Sequence, residues 1–151
     1  MNQTTAVQEQ DFNQAFVEVM QVRLGDEVVL IPVPDVAEIV HTQALTPVPM
    51  APDHLLGLCN IHGQVVCVID PCRVMSLSPS KHATQPQLAR FIVLHHPKMH
   101  LAIYAEEILS LLQISDDEFQ KLTREIDGFF YAKHEELPHQ QRLLYTESLF
   151  K

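Results

Sequence analysis

Residues Leu56 to Asp70, LGLCNIHGQVVCVID, constrain this chain more than any other stretch. Gly63 and Gln64 separate one apolar run from another, Val65-Val66-Cys67-Val68-Ile69. Glycine takes the backbone angles of a tight turn at little steric cost, so the pattern predicts a turn feeding a buried strand. Similar short runs recur at Phe16–Val22, Val28–Val33, Phe91–Leu94, Leu101–Ala105, Phe129–Tyr131 and Leu143–Tyr145. Each is of ordinary strand length. Prolines at 32, 34, 47, 49, 52 and 71 punctuate the first half and assign several of its segments to edges, bends or extended linkers.

Helices are few. Asp70 is placed to cap a short helix, with Pro71 at its first position and residues through Leu77 following. Ser115, with Glu118 three residues later, forms a capping-box pattern that opens a helix toward Ile126. Ser78 to Gln87 reads as a linker, and residues 1–13 as a flexible leader. A faint internal repeat relates Asp35–Val40 to Glu107–Leu112 at an offset of 72, and His62-Gly63-Gln64 to His139-Gln140-Gln141 at an offset of 77. Two strand-rich halves built alike point to two small antiparallel barrels packed together, approximately residues 14–77 and 88–151.

Composition narrows the function. The chain has 151 residues and a hydrophobic content of 46%, enough for a real core. Its net charge of −9 is uneven: residues 1–76 hold nine acidic and two basic side chains, for −7. Phosphate backbones and anionic bilayers would be repelled, which disfavours nucleic acid and membrane surfaces as partners. No apolar run reaches the roughly 20 residues of a membrane span. The polar N-terminal segment lacks a basic region and is not a signal peptide. Three cysteines outside any disulfide framework fit a reducing cytoplasm.

Three histidine-bearing stretches tempt toward metal. Cys59, His62, Cys67 and Cys72 have the intervals of a zinc knuckle, C-x2-H-x4-C-x4-C. Tetrahedral zinc accepts thiolates and imidazole in any order. Against that reading, Val65, Val66, Val68 and Ile69 suit a packed strand, and free cysteine behaves as a small hydrophobe. On such a strand Cys67 would share a core face with Val65 and Ile69. His95-His96-Pro97-Lys98-Met99-His100 reads as a solvated hairpin turn, with His95 and His96 on opposite sheet faces. His134 to His139 is one residue too long for H-E-x-x-H, and Pro138 would interrupt its helix. No phosphate loop, dinucleotide fingerprint or nucleophile elbow occurs, so enzymatic function, metal and cofactor all lack a signature.

A wider frame surrounds the opening stretch. Gly25 precedes the apolar strand Val28–Val33; Val36-Ala37-Glu38-Ile39 follows; then come Val48-Pro49-Met50-Ala51-Pro52, Gly57-Leu58-Cys59-Asn60-Ile61-His62-Gly63 and Val65 to Asp70. In this the chain resembles the CheW family of chemotaxis coupling proteins, a domain also found as the regulatory domain of the CheA histidine kinase. The second half fits through FIVLHHPKMHLAIYAEEILSLL and a last strand near RLLY.

The resemblance implies a mostly β fold of two fused five-stranded SH3-like barrels, with short helices at the lobe ends and a groove between lobes. It also implies a cytoplasmic, non-enzymatic adaptor that joins a CheA-like histidine kinase regulatory domain to the cytoplasmic tip of a chemoreceptor. By resemblance the partner-binding residues are Val36, Glu38, Gly57, Asn60, Ile61, His62 and Gly63. A divergent CheW-like domain or a zinc-binding module serving another interaction is the alternative.

The chain departs from the family pattern at three places, two of them in its first half. His62 stands where arginine is usual, and Asp70-Pro71-Cys72 where D-L-R is usual. An arginine fork binds a carboxylate through two hydrogen bonds and stays charged. Imidazole offers one such bond at a time, so a Glu38–His62 contact is expected to be weaker and sensitive to pH. Near the C-terminus, Tyr145-Thr146-Glu147 replaces the family's acidic closing motif.

Overall fold

The computed structural model describes residues 15–81, 85–132 and 137–150. The expected leader, part of the 78–87 linker and His134 lie outside the described residues. The chain runs β1 (Phe16–Leu24), β2 (Glu27–Pro32), β3 (Val36–His41), β4 (Leu55–Ile61), β5 (Gln64–Ile69), α1 (Pro71–Met75), β6 (Arg90–Leu94), β7 (Leu101–Ala105), β8 (Glu107–Ser115), α2 (Asp116–Leu122), β9 (Ile126–Asp127), β10 (Phe130–Tyr131) and β11 (Arg142–Leu143). The seven sequence-read strands all form, within two or three residues of the expected bounds.

One sheet has the order β3-β6-β7-β5-β4 and the other β11-β2-β1-β8. A single bridge, Phe130 to Leu144, adds the β9–β10 hairpin to the second sheet. Counting that hairpin, the second lobe has six strands beside the five of the first, a mostly β fold with short helices as expected.

The sheets exchange strands. After the β1–β2 hairpin the chain crosses through the turn Val33–Asp35, and β3 pairs antiparallel with β6 of the other sheet. After the β6–β7 hairpin it crosses back, and β8 pairs antiparallel with β1. Parallel pairings complete the correspondence: β5 lies beside β7, and β11 beside β2. Neither sheet is therefore confined to residues 14–77 or 88–151.

This arrangement explains the apolar runs. On β1, Met20, Val22 and Leu24 enter a core shared by both sheets, whereas Val19 enters a separate core with Leu30, Ile114 and Leu122. On β6 and β7, Ile92, Leu94, Ile103 and Ala105 face the shared core, and Phe91 and Ala102 face a third core. Central strands buried on both faces need continuous rather than alternating hydrophobicity. The crossing strand β3 sits at a sheet edge and does alternate, its residues partly buried and exposed in turn.

The helix ends follow local chemistry. Asp70 caps α1 by accepting the Cys72 amide at 3.0 Å, and Ser76 in the left-handed region ends it. Ser115 caps α2 by accepting the Glu118 amide at 3.2 Å. That helix stops at Leu122 instead of reaching Ile126, because the Thr123 hydroxyl turns back onto the Phe119 carbonyl (2.9 Å) and Ile126 enters β9.

Candidate functional site

The β4–β5 turn is set by two consecutive residues with positive φ, His62 at 50° and Gly63 at 85°. Such angles match the twist of a tight hairpin. Asn60 supports the turn by accepting the Gly63 amide through Oδ1 at 2.8 Å. The result lifts the His62 ring into solvent, 75% exposed, where Nε2 lies 2.6 Å from Glu38 Oε1.

Glu38 is on β3, at one edge of the five-stranded sheet; His62 is in the turn that joins the two strands of the other edge. Their contact spans the mouth of the curled sheet. Beneath it opens a groove of about 250 Å³. Ile61, Val66, Val93 and Leu94 supply its apolar lining. His95, His96 and His100 from the β6–β7 connection complete the wall opposite.

The hairpin reading of residues 95–100 holds, and His95 and His96, just beyond the end of β6 at Leu94, both line the groove. His96 is fixed on three sides. Its Nδ1 accepts the amides of Lys98 and Met99 at 3.1 Å each, its ring stacks on Phe150 at 4.2 Å, and its Nε2 is 3.7 Å from Glu147 Oε1. The preceding residue, His95, donates its amide to the Asp35 carbonyl at 2.8 Å. Asp35 in turn accepts the Thr146 hydroxyl at 2.9 Å, and burial raises its carboxyl above the ordinary value.

The seven sequence-selected residues divide into three groups. Glu38, Ile61 and His62 line the groove; Asn60 and Gly63 shape its turn. Val36 packs against the shared core, and Gly57 lies within β4 where the chain passes closely. A Cβ on Gly57 would sit 2.8 Å from the Thr46 carbonyl oxygen, at φ +151°. The sequence reading assigned His95, His96 and His100 to a solvated turn and left them out of the site. The signal that finds them is the pairing of β3 with β6, Val36 opposite Leu94, which brings the hairpin tip beside Glu38.

The zinc constellation does not come together. Cys59 packs in the lobe core with Val66, whereas Cys67 and Cys72 pack against the shared core on the other side of the sheet. Cys72 is pushed up to about 12 by burial, then by the nearby carboxylates of Asp70 and Glu106, opposing the thiolate that zinc requires. Cys67 does share a face with buried Ile69, but Val65 at the strand's start is 60% exposed. Asp70-Pro71-Cys72 serves α1: carboxylate cap, first-position proline and an apolar thiol.

A family model described as the CheW-like domain matches residues 18–133. A chemotaxis protein CheW from Treponema pallidum is 25% identical over 107 residues, covering 70% of this chain and 63% of that protein. One from Rhizobium meliloti is 26% identical over 104 residues, covering 68% and 64%. The chain thus spans slightly less than two thirds of the length of these two relatives. The crystal structure of the scaffolding protein TtCheW from Thermoanaerobacter tengcongensis superposes with a TM-score of 0.63 at 13% identity, over 86% of this chain and 83% of that one. At that identity the likeness establishes the fold.

Proposed function

This chain belongs to the CheW-like domain family, and from that premise we propose that it is a cytoplasmic, non-enzymatic adaptor coupling a CheA-like histidine kinase to chemoreceptor-type sensors. The observation that carries the reading is the extent of the family match, which runs from β1 to β10 and takes in the groove, the five-stranded sheet and all of the other sheet but β11. Glu38 and His62 meeting across the barrel mouth supports a recognition role, since an exposed polar pair at a sheet's end contributes little to stability. Exposed Ile39 follows Glu38 on β3, and exposed Val65 opens β5 beyond His62. Apolar side chains beside a polar rim are the usual anchors of a protein interface.

No helix among the described residues is long and apolar enough to cross a membrane. In the proposed arrangement the kinase regulatory domain docks on barrel-end apolar surface, and the receptor's helical tip docks along the groove. Val36, Gly57, Asn60 and Gly63 hold the surface in shape, and Glu38, Ile61 and His62 present it. Co-purification of the full chain with a CheA-like regulatory domain tests the reading. Association at micromolar concentration supports it, and no association at tens of micromolar overturns it. The same assay with chemotaxis, twitching and phototaxis receptor tips identifies the pathway.

A further inference from the structure

Four of the nine histidines in this acidic chain line one groove: His62 from the β4–β5 turn, and His95, His96 and His100 from the β6–β7 connection. Imidazole is the side chain whose ordinary titration falls between pH 5 and 8. We propose that the groove is a proton-gated seat for an acidic amphipathic segment, one with an apolar stripe against Ile61, Val66 and Leu94 and carboxylates against the histidines. The proposal rests on the reading of this groove as a partner surface and adds its regulation and the chemistry of its occupant.

Charge on the surrounding elements decides the sign. Glu38 comes from β3, Asp35 from the crossing turn before it and Glu147 from the C-terminal turn, while Lys98 belongs to the hairpin tip. The remaining lining from β5 and β6 is uncharged: Gln64, Val66, Val93 and Leu94. His96 is committed to the hairpin, since its Nδ1 already accepts two backbone amides. Gating therefore falls to His62, His95 and His100. With these three neutral the surroundings carry −2; with all three protonated they carry +1. A proton on His62 offsets Glu38 at 2.6 Å, and protons on His95 and His100 leave positive charge available to a ligand. An arginine at position 62 would hold part of this charge at every pH; histidine makes it conditional.

The experiment uses the full chain and a helical 21-residue peptide with leucines on one face and glutamates flanking them, beside its Glu→Gln version. Isothermal titration at pH 8.0 and 6.0 reads both. The expected result is at least fivefold tighter binding of the glutamate peptide at pH 6.0 and less than twofold change for the glutamine peptide. The variant His62→Gln/His95→Gln/His100→Gln, which leaves the His96 hairpin intact, should keep the wild-type circular dichroism spectrum and lose the gain, binding the glutamate peptide no more tightly at pH 6.0 than at pH 8.0. Equal affinity of the glutamate peptide at both pH values overturns the proposal, as does a gain that survives in the triple variant. Equal binding of an oligoglutamate without apolar residues overturns the amphipathic occupant. Co-purification failing while the peptide gain persists would refute the adaptor reading alone; the reverse pattern would refute the gating alone.

Discussion

Glu38 Oε1 and His62 Nε2 are 2.6 Å apart although they belong to opposite edges of the five-stranded sheet. The contact exists because the sheet curls, bringing β3 at one edge to the turn between β5 and β4 at the other. Most of the His62 side chain remains in water, so the pair marks a surface and does not brace a core.

That exposure sets a limit on stability. In a double-mutant cycle of Glu38→Ala and His62→Ala, chemical denaturation should give a coupling energy below about 1 kcal/mol. Each single change should move the unfolding midpoint only slightly, while affinity for a groove partner falls. A coupling energy of several kcal/mol would mean that the pair holds the barrel closed.

Asp35 predicts a pH dependence of folding. Burial raises its carboxyl in the folded state, outweighing the hydrogen bond from Thr146. A raised carboxyl means that the folded state prefers the protonated form. The resulting stabilisation is complete below the ordinary value of 3.8 and is lost as pH rises through the folded value. Asp35→Asn keeps an acceptor for Thr146 and removes the charge. Denaturation at pH 4 and pH 7 should show the variant gaining on wild type as pH rises. A gain that is equal at both pH values would remove Asp35 as the cause.

Thiol chemistry separates structural cysteines from metal ligands. Burial raises Cys59, and burial with neighbouring carboxylates raises Cys72 to about 12. With a disulfide reagent at pH 8, both should react at least tenfold more slowly in the native protein than in denaturant, where all three thiols react. Rapid native labelling of Cys72 at that pH would contradict the packing described.

The shared core predicts a single cooperative transition. Ile92 is fully buried between the sheets, and Ile92→Ala should cost about 2–5 kcal/mol. Gly57→Ala combines positive φ with a Cβ 2.8 Å from the Thr46 oxygen, and should cost about 1–3 kcal/mol. Calorimetry of either variant should show one peak at lower temperature. Two resolved peaks would show that the lobes unfold separately.

The faint repeat becomes meaningful in three dimensions. His62 and Gly63 adopt positive φ before β5, and His139 and Gln140, both at 56°, do the same before β11. Each pair feeds a strand that joins a hairpin in parallel, β5 to β7 and β11 to β2. The likeness between Asp35–Val40 and Glu107–Leu112 marks the two strands that cross between sheets, β3 and β8. Local chemistry was legible at each point: Gly63 for the turn, Asp70 and Ser115 for helix starts, continuous apolar runs for central strands. The destination of β3 and β8 was not, because an edge strand's alternation states which face is wet without naming its neighbour.

By itself the sequence determined seven of the eleven strands, the caps, the acidic charge and the family frame that includes Glu38 and His62, since each depends on residue type and short spacing. Only the tertiary structure decided that β3 joins β6, that the sheet curls until Glu38 reaches His62, and that a hairpin read as solvated turn becomes the groove's histidine wall. Those outcomes come from burying both faces of two hairpins at once, a long-range requirement that no short window of residues expresses.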